Sequence, residues 1–266
     1  MIVVRSCSGF DEFEACVRLQ IETWGYDPSD VIPRKAFRIA QEIGGQIVGA
    51  FDTEISSADI SSCESGAGAQ SLVGFAMSLP GVKTDSGEPR PYLHSHMLAV
   101  RESYRNRGLG AQLKREQRLE ALSRGIRLLE WTFDPLESKN AYLNIHRLGA
   151  TASAYLVDFY GVSSSRLQGG LPTDRLVAEW RLDSERVQAV LDGRPPEPLT
   201  IEERIQVPAA ISEWKASESS RGRALAVQSE NRRKFQQAFS RGLAVIGFSR
   251  DIEGNGIFEM GRIVEV

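Results

Sequence analysis

The chain has 266 residues, a formal net charge of −3, 41% apolar residues and 25% charged residues, ordinary globular usage with enough apolar surface for a sizeable core. A general nucleic-acid binder is usually basic overall, so the bulk charge speaks against that role. Cys7, Cys16 and Cys63 show no C-x-x-C spacing and suggest neither a disulfide framework nor a zinc site.

The start, MIVVRSCSGFDEFEA, lacks the basic and apolar regions of a signal peptide. No run approaches the roughly 18 apolar residues of a membrane span, so a soluble, cytoplasmic protein is expected. Ile2 to Val4 reads as a first strand. Ser8 then caps a helix in which Phe13, Val17, Ile21 and Trp24 recur at helical spacing, ending near Gly25. Pro33 opens a second helix and Gly44-Gly45 stops it. Gln46 to Asp52 and Ser71 to Ser78 read as neighbouring strands. Between them lies the Ser-, Gly- and Ala-rich stretch SSADISSCESGAGAQ, expected to be a mobile loop. Gly81 to Pro91 reads as a polar connection and Tyr92 to Val100 as the next strand. A helix is expected from about Gly110 to Ser123, a strand from Ile126 to Phe133, and a short helix from Lys139 to Arg147. Ala152 to Phe159 and Asp174 to Leu182 are strand-like, with Val162 to Pro172 as a loop between them.

The character changes at DGRPPEPL, a Pro-rich break that begins at Asp192. The organisation expected is a domain over residues 1–182, a linker over 183–200 and an appended unit of one helix and two strands (αββ) over 201–266. The charged run SENRRKFQQ from Ser229 reads as a solvated helix face.

The most informative stretch is YRNRGLGAQLKREQRL, from Tyr104. It sits between a strand and a helix. The first N–H groups of a helix lack internal partners, and the helix dipole adds partial positive charge there. Glycines let a phosphate approach the backbone, and Arg105 and Arg107 add charge-assisted donors. The stretch is built to hold a pyrophosphate. Neither the Walker pattern nor G-x-G-x-x-G is present.

The spacing Arg105-Asn-Arg-Gly108-Leu-Gly110, R-x-x-G-x-G, resembles the acyl-CoA signature of the GNAT superfamily of N-acetyltransferases. The context resembles it too. Leu98-Ala-Val100 precedes the signature, Leu113 stands at a helical core position, and SKNAYLNIHRLGA matches the family's short helix through Ala141, Leu148 and Gly149. The resemblance covers roughly residues 1–182. Within the superfamily, YLHSHMLAV, WTFDPLESKNAYLN and PTDRLVAEW look like a group of predicted acetyltransferases of unassigned substrate. The resemblance implies a GNAT-type α/β (α+β in some schemes) fold, a mixed, mostly antiparallel central sheet flanked by helices. It also implies acetyl-CoA, or another acyl-CoA, as co-substrate. Leu98, Ala99 and Val100 would offer backbone to pantetheine. Arg105, Asn106, Arg107, Gly108, Leu109, Gly110 and Ala111 would offer amides and guanidinium groups to phosphate. The acyl group would lie where Tyr92–Val100 and Ile126–Phe133 splay apart.

N-acetyl transfer needs a base to free the acceptor amine and an acid for the leaving thiolate. Here the sequence departs from the family, which often has a tyrosine where this chain has Ile145; Ser138 replaces its usual asparagine. Asn140 and Asn144, four apart and so on one helical face, are read as contacts to the CoA arm or as caps of a surface helix. Tyr142, Tyr155 and Tyr160 are acid candidates, although a core or rim place is the commoner role for such a tyrosine; alternatively the thiolate takes its proton from solvent. His94 and His96 alternate along one strand and so share a face. They are base candidates or structural imidazoles, and without a carboxylate partner they do not make a metal site; no metal is expected. Glu130 and Asp134 bracket the facing strand's end, the latter doubling as turn chemistry before Pro135. Asp174, Arg175 and Glu179 line a pocket or form exposed strand charge. Lys114, Arg115 and Arg118 read as a solvated helix face, and Trp131 and Trp180 as core or pocket wall.

The leading function is acyl transfer to a small amine or amino-acid-like acceptor. A non-catalytic acyl-CoA-binding module is the alternative. Neither a nucleic-acid nor a membrane partner is expected. The sequence does not assign the tail beyond Pro195; covering the active site and joining a homodimer interface both stay open.

Overall fold

In the computed structural model, residues 1–54, 71–84 and 87–263 are described. Cys63 and the expected loop over 56–70 lie outside them. The elements in order are β1 (Ile2–Ser6), α1 (Gly9–Trp24), α2 (Arg34–Glu42), β2 (Gln46–Asp52), β3 (Ser71–Lys83), β4 (Arg90–Val100), α3 (Leu109–Ser123) and β5 (Leu128–Phe133). There follow α4 (Ser138–Ala141), β6 (Thr151–Leu156), β7 (Arg175–Arg181), α5 (Glu185–Leu191), β8 (Glu203–Val207), α6 (Ile211–Ala216), α7 (Arg221–Ser240), β9 (Ala244–Arg250) and β10 (Gly256–Gly261). Helices and mostly antiparallel strands are mixed along the chain, the expected fold class. Among the described residues no helix is long and apolar enough to cross a membrane.

Compactness divides the chain inside β5. One unit holds residues 1–129 and 164–166, the other 130–163 and 167–266. In the first, β1-β2-β3-β4 form antiparallel neighbours in that order. α1 and α2 cover one face, where Phe13, Phe37, Phe51, Phe75, Met97 and Ala99 make a core; Leu109 and Leu113 of α3 cover the other, with Val48, Val73 and Ala76. The α1 entry is held by Glu12, which accepts from the Ser8 amide at 2.6 Å and pairs with Arg5 at 2.7 Å. Pro33 precedes α2 as its N-cap rather than standing inside it.

The hairpin of β3 and β4 is longer than the sequence predicts, and the expected connection over 81–91 is largely strand. Gly81 pairs with Tyr92, and a Cβ on Gly81 would meet the Tyr92 ring at 2.5 Å. The glycine that reads as a breaker is the space that the aromatic ring fills.

In the second unit the strand order is β7-β6-β9-β10-β8, again antiparallel. The stretch expected as a linker contains α5, capped by Ser184 and buried at Val187 and Ala189. The tail carries a further strand and helix, β8 and α6, ahead of the expected helix and two strands. It is integral to its unit: β9 pairs with β6 at Val245 and Ala152. Two buried carboxylates fasten it. Lys215 of α6, 4% exposed, donates to Asp134 and Glu137, each at 2.8 Å. Burial opposes the Lys215 charge, but the two carboxylates outweigh it and hold the ammonium above its usual range. Arg232 of α7 grips fully buried Asp174 with two bonds, at 2.8 and 2.9 Å. The run at Ser229 is therefore no solvated face: Asn231 and Phe235 are buried within it.

Removing the cation leaves buried Asp134 and half-buried Glu137 without their counter-ion. Lys215→Ala is expected to lower unfolding stability by about 3–5 kcal/mol, read by urea denaturation. A loss below about 1 kcal/mol, the worth of an exposed pair, would contradict this reading.

Candidate functional site

β4 ends at Val100 and a 3-10 turn over Glu102–Tyr104 follows. Tyr104 anchors the turn: its hydroxyl donates to Asp52 Oδ2 at 2.7 Å, which holds the Asp52 carboxyl below its ordinary range. Arg105 Nε donates to the Val100 carbonyl at 3.0 Å, and the Arg107 guanidinium lies 5.4 Å from the Tyr104 ring centroid. Asn106 and Gly108 both take left-handed backbone, φ 62° and 78°. Gly108 is the N-cap of α3, and no side chain caps the helix there. Its carbonyl accepts from the Gln112 amide at 3.1 Å, so the amides of Leu109, Gly110 and Ala111 precede the first intrahelical bond. A Cβ on Gly108 would meet nothing within 4 Å. Open space thus lies at an uncapped helix N-terminus flanked by exposed Arg105 and Arg107. That arrangement fits a phosphate or pyrophosphate. Leu98 and Val100 pack toward Leu109 and Leu113, and Ala99 is buried on the opposite face of the sheet.

Upstream on β4 the two imidazoles have ring centroids 6.2 Å apart. Simple alternation does not place them, because the register with β3 shifts between His94 and Met97. Leu79 lies opposite His94, Ser78 opposite Ser95 and Met77 opposite Met97, which leaves His96 as the extra residue of a bulge. Burial, then His96, then Lys114 push the His94 imidazole down to about 4, and burial also lowers His96. Among the described residues no group of three or more His, Cys, Asp and Glu side chains is placed to hold a metal. Lys114 is not on a solvated face: it is 2% exposed.

In the second unit, Glu130 of β5 is 5% exposed and Asp134 follows the strand at 8%. Both oxygens of Asp134 are engaged, Oδ1 by the Leu136 amide at 2.8 Å and Oδ2 by Lys215. Its surroundings are those of a turn and an ion pair. Tyr155 donates its hydroxyl to Asp174 at 2.6 Å; burial and that bond both raise the phenol, so it holds its proton. Tyr160 is 43% exposed, with its hydroxyl 2.8 Å from Thr132 Oγ1 and Arg175 over its ring. Tyr142, 39% exposed, stacks on His146. Asn140 and Asn144 do not share a face. α4 gives way to a π-helical stretch over Tyr142–Arg147, which breaks the 3.6-residue period; Asn140 is exposed and Asn144 buried. Trp131 and Trp180 pack edge to face at 6.0 Å, and Glu179 accepts from Ser153.

The sequence reading missed Tyr104, Asp52, Ser95 and Gln117. For Gln117 a signal existed, since the i, i+4 stripe from Leu109 runs through Leu113 and Gln117 to Ala121, and Lys114 lies beside that stripe, three residues before Gln117. For the Tyr104–Asp52 bond, between residues 52 apart, no local pattern exists.

No family model and no curated relative matches the sequence. In three dimensions the chain is similar to Arabidopsis thaliana NAA60 in complex with acetyl-CoA, 15% identical, with a TM-score of 0.51 over 68% of this chain and 99% of that one. The same enzyme with a bisubstrate analogue aligns at 15% identity and a TM-score of 0.50, over 68% of this chain and 98% of that one. A GNAT family acetyltransferase from Elizabethkingia anophelis with acetyl-CoA bound aligns at 14% identity over 68% of this chain and 97% of that one, with a TM-score of 0.43. The fold of this chain is the GNAT acetyltransferase fold.

The half-buried His94 imidazole makes stability depend on pH with a definite sign. Below about 6.5 the unfolded His94 takes up a proton that the folded one refuses until about 4, so stability falls as pH drops through that window. His94→Gln is expected to flatten this part of the urea-stability profile. An unchanged slope would show that His94 titrates normally when folded.

Proposed function

We propose that the chain is an acetyl-CoA-dependent N-acetyltransferase that acts by direct transfer on a small amine or amino-acid-like acceptor. The observation that carries this reading is the uncapped α3 N-terminus at Gly108, with open space before it and Arg105 and Arg107 beside it, on a GNAT fold.

The amides of Leu109, Gly110 and Ala111 would hold the pyrophosphate, with the guanidinium groups of Arg105 and Arg107 adding charge. The backbone of Leu98 to Val100 would receive the pantetheine arm. Acetyl-CoA, when bound, supplies an acyl thioester. An acceptor amine attacks only when unprotonated. His94 and His96, kept neutral by burial, are acceptors for that proton, directly or through water. Glu130, itself buried, is the second base candidate. Asp134, committed to Lys215 and the Leu136 amide, is set aside, as is Tyr155, whose proton is committed to Asp174. Tyr160, exposed and bonded to Thr132, is the acid candidate that keeps a proton within reach of solvent. Of the two asparagines, Asn140 is exposed and Asn144 buried, and Asn140 is kept as the candidate CoA contact.

A glutamate at Gly108 would place a carboxylate in the phosphate site and force a side chain into left-handed backbone. Calorimetry is expected to show acetyl-CoA binding to the native chain and none to Gly108→Glu. A panel of small amines, assayed for release of free CoA, then identifies the acceptor. Failure of the native chain to bind acetyl-CoA would end this reading, and binding without turnover on any amine would favour a non-catalytic acyl-CoA-binding module.

A further inference from the structure

The bulge on β4 needs a cause. An extra residue on one strand interrupts the ladder and re-aims a side chain, and it persists where the surroundings hold it. At His96 the two strand neighbours Met77 and Met97 are apolar and offer nothing polar to fix it. The other face of β4 does. Ser95, one residue before the bulge, is 4% exposed, and α3 presents Lys114 and Gln117 to it, 2% and 0% exposed. Lys114 Nζ donates to Ser95 Oγ at 2.8 Å, and Ser95 Oγ donates to Gln117 Oε1 at 3.0 Å. A buried ammonium is costly, and burial pushes Lys114 well below the usual lysine range. A leucine or methionine would fill that volume without the cost. The lysine contributes a hydrogen bond to the residue that separates the two imidazoles.

It also contributes charge. The groups acting on His94 are His96 on its own strand and Lys114 on α3. Across the sheet stands apolar Leu79 of β3, and from α1 the carboxylate of Glu22 pairs with Arg101 at 3.4 Å. Lys114, after burial and His96, is the third influence that disfavours an imidazolium at His94, and it acts there when its own amine is protonated.

We propose that Lys114 is a positioning residue for the imidazole pair: anchored through Ser95, it pins the bulge at His96 and sets a cation beside His94, so that both rings stand neutral and together on β4. What the rings then do rests on the acetyltransferase reading; their placement does not.

The chain has three histidines, so the imidazole resonances can be assigned and followed by NMR across pH in the full chain. Exposed His146, stacked on Tyr142, is the internal reference. In Lys114→Met the buried volume stays filled while the charge is lost. The His94 midpoint is expected to rise above about 4, with burial and His96 still holding it below the ordinary imidazole range, and the His96 resonances to shift as the bulge loosens. A His94 midpoint that stays or falls would overturn the proposal. Ser95→Ala keeps the cation and removes its anchor, and it decides the matter should Lys114→Met not fold. Altered His94 and His96 resonances, with His146 unmoved, are expected; imidazoles identical to the native chain's would overturn the proposal. Neither CoA nor an acceptor enters the measurement, so it can fail while acetyl-CoA binding stands, and the reverse.

Discussion

The left-handed backbone at Gly108 is the constraint on which the site depends. The chain must leave β4 and start α3 within a few residues while keeping the first helical amides free of a side-chain cap. Most residues in that conformation would cost roughly 1–2 kcal/mol, and a capping serine or aspartate would spend its oxygen on the amides a phosphate needs. Glycine avoids both. The Tyr104–Asp52 bond then ties the turn to β2, and Leu109 and Leu113 seat the helix on the sheet. Because Arg105 bonds the Val100 carbonyl, the same turn closes back on the strand it came from. Strand, turn and helix are thereby tied to one another, and in the proposed phosphate site this matters because a preorganised site loses less ordering entropy on binding.

The second unit rests on different physics. Its irregular connections carry buried carboxylates, and the tail supplies the cations. Asp134 and Glu137 meet Lys215, while Asp174 meets Arg232 and Tyr155. Ion pairs of this kind contribute little net stability compared with apolar packing, but losing one partner is expensive. They specify how the tail docks onto β6, β7 and the segment before α4. In the proposed reaction Asp134 and Tyr155 are accordingly set aside, because a carboxylate with both oxygens engaged and a phenol donating to a buried aspartate are poor proton shuttles.

Much of the first unit was legible in the sequence. The caps and helical period marked α1 and α3, and the glycine spacing marked the turn. What escaped were features decided by neighbours far along the chain. Gly81 and Pro91 bound a stretch that reads as a polar connection, yet they lie in β3 and β4 because the hairpin continues through them. The β4 bulge breaks the alternation from which the faces of His94 and His96 were inferred. α7 looked solvated because its buried stripe includes Gln228 and Asn231, which bond the Pro172 and Gln206 carbonyls. Two signals were present but overshadowed by the Pro-rich break: Ser184-Glu185 before an apolar turn, and the alternation of Ile205 and Val207 in β8. The π-helical stretch that separates Asn140 from Asn144 left no local mark at all.

The central claim is that the α3 N-terminus holds the phosphates of acetyl-CoA. Residue-resolved amide hydrogen exchange on the full chain, with and without acetyl-CoA, tests it most directly. The account predicts slowed exchange at the amides of Leu109, Gly110 and Ala111 and along Leu98 to Val100 when acetyl-CoA is present. Binding that leaves those amides unchanged, or protects only a distant segment, would contradict it.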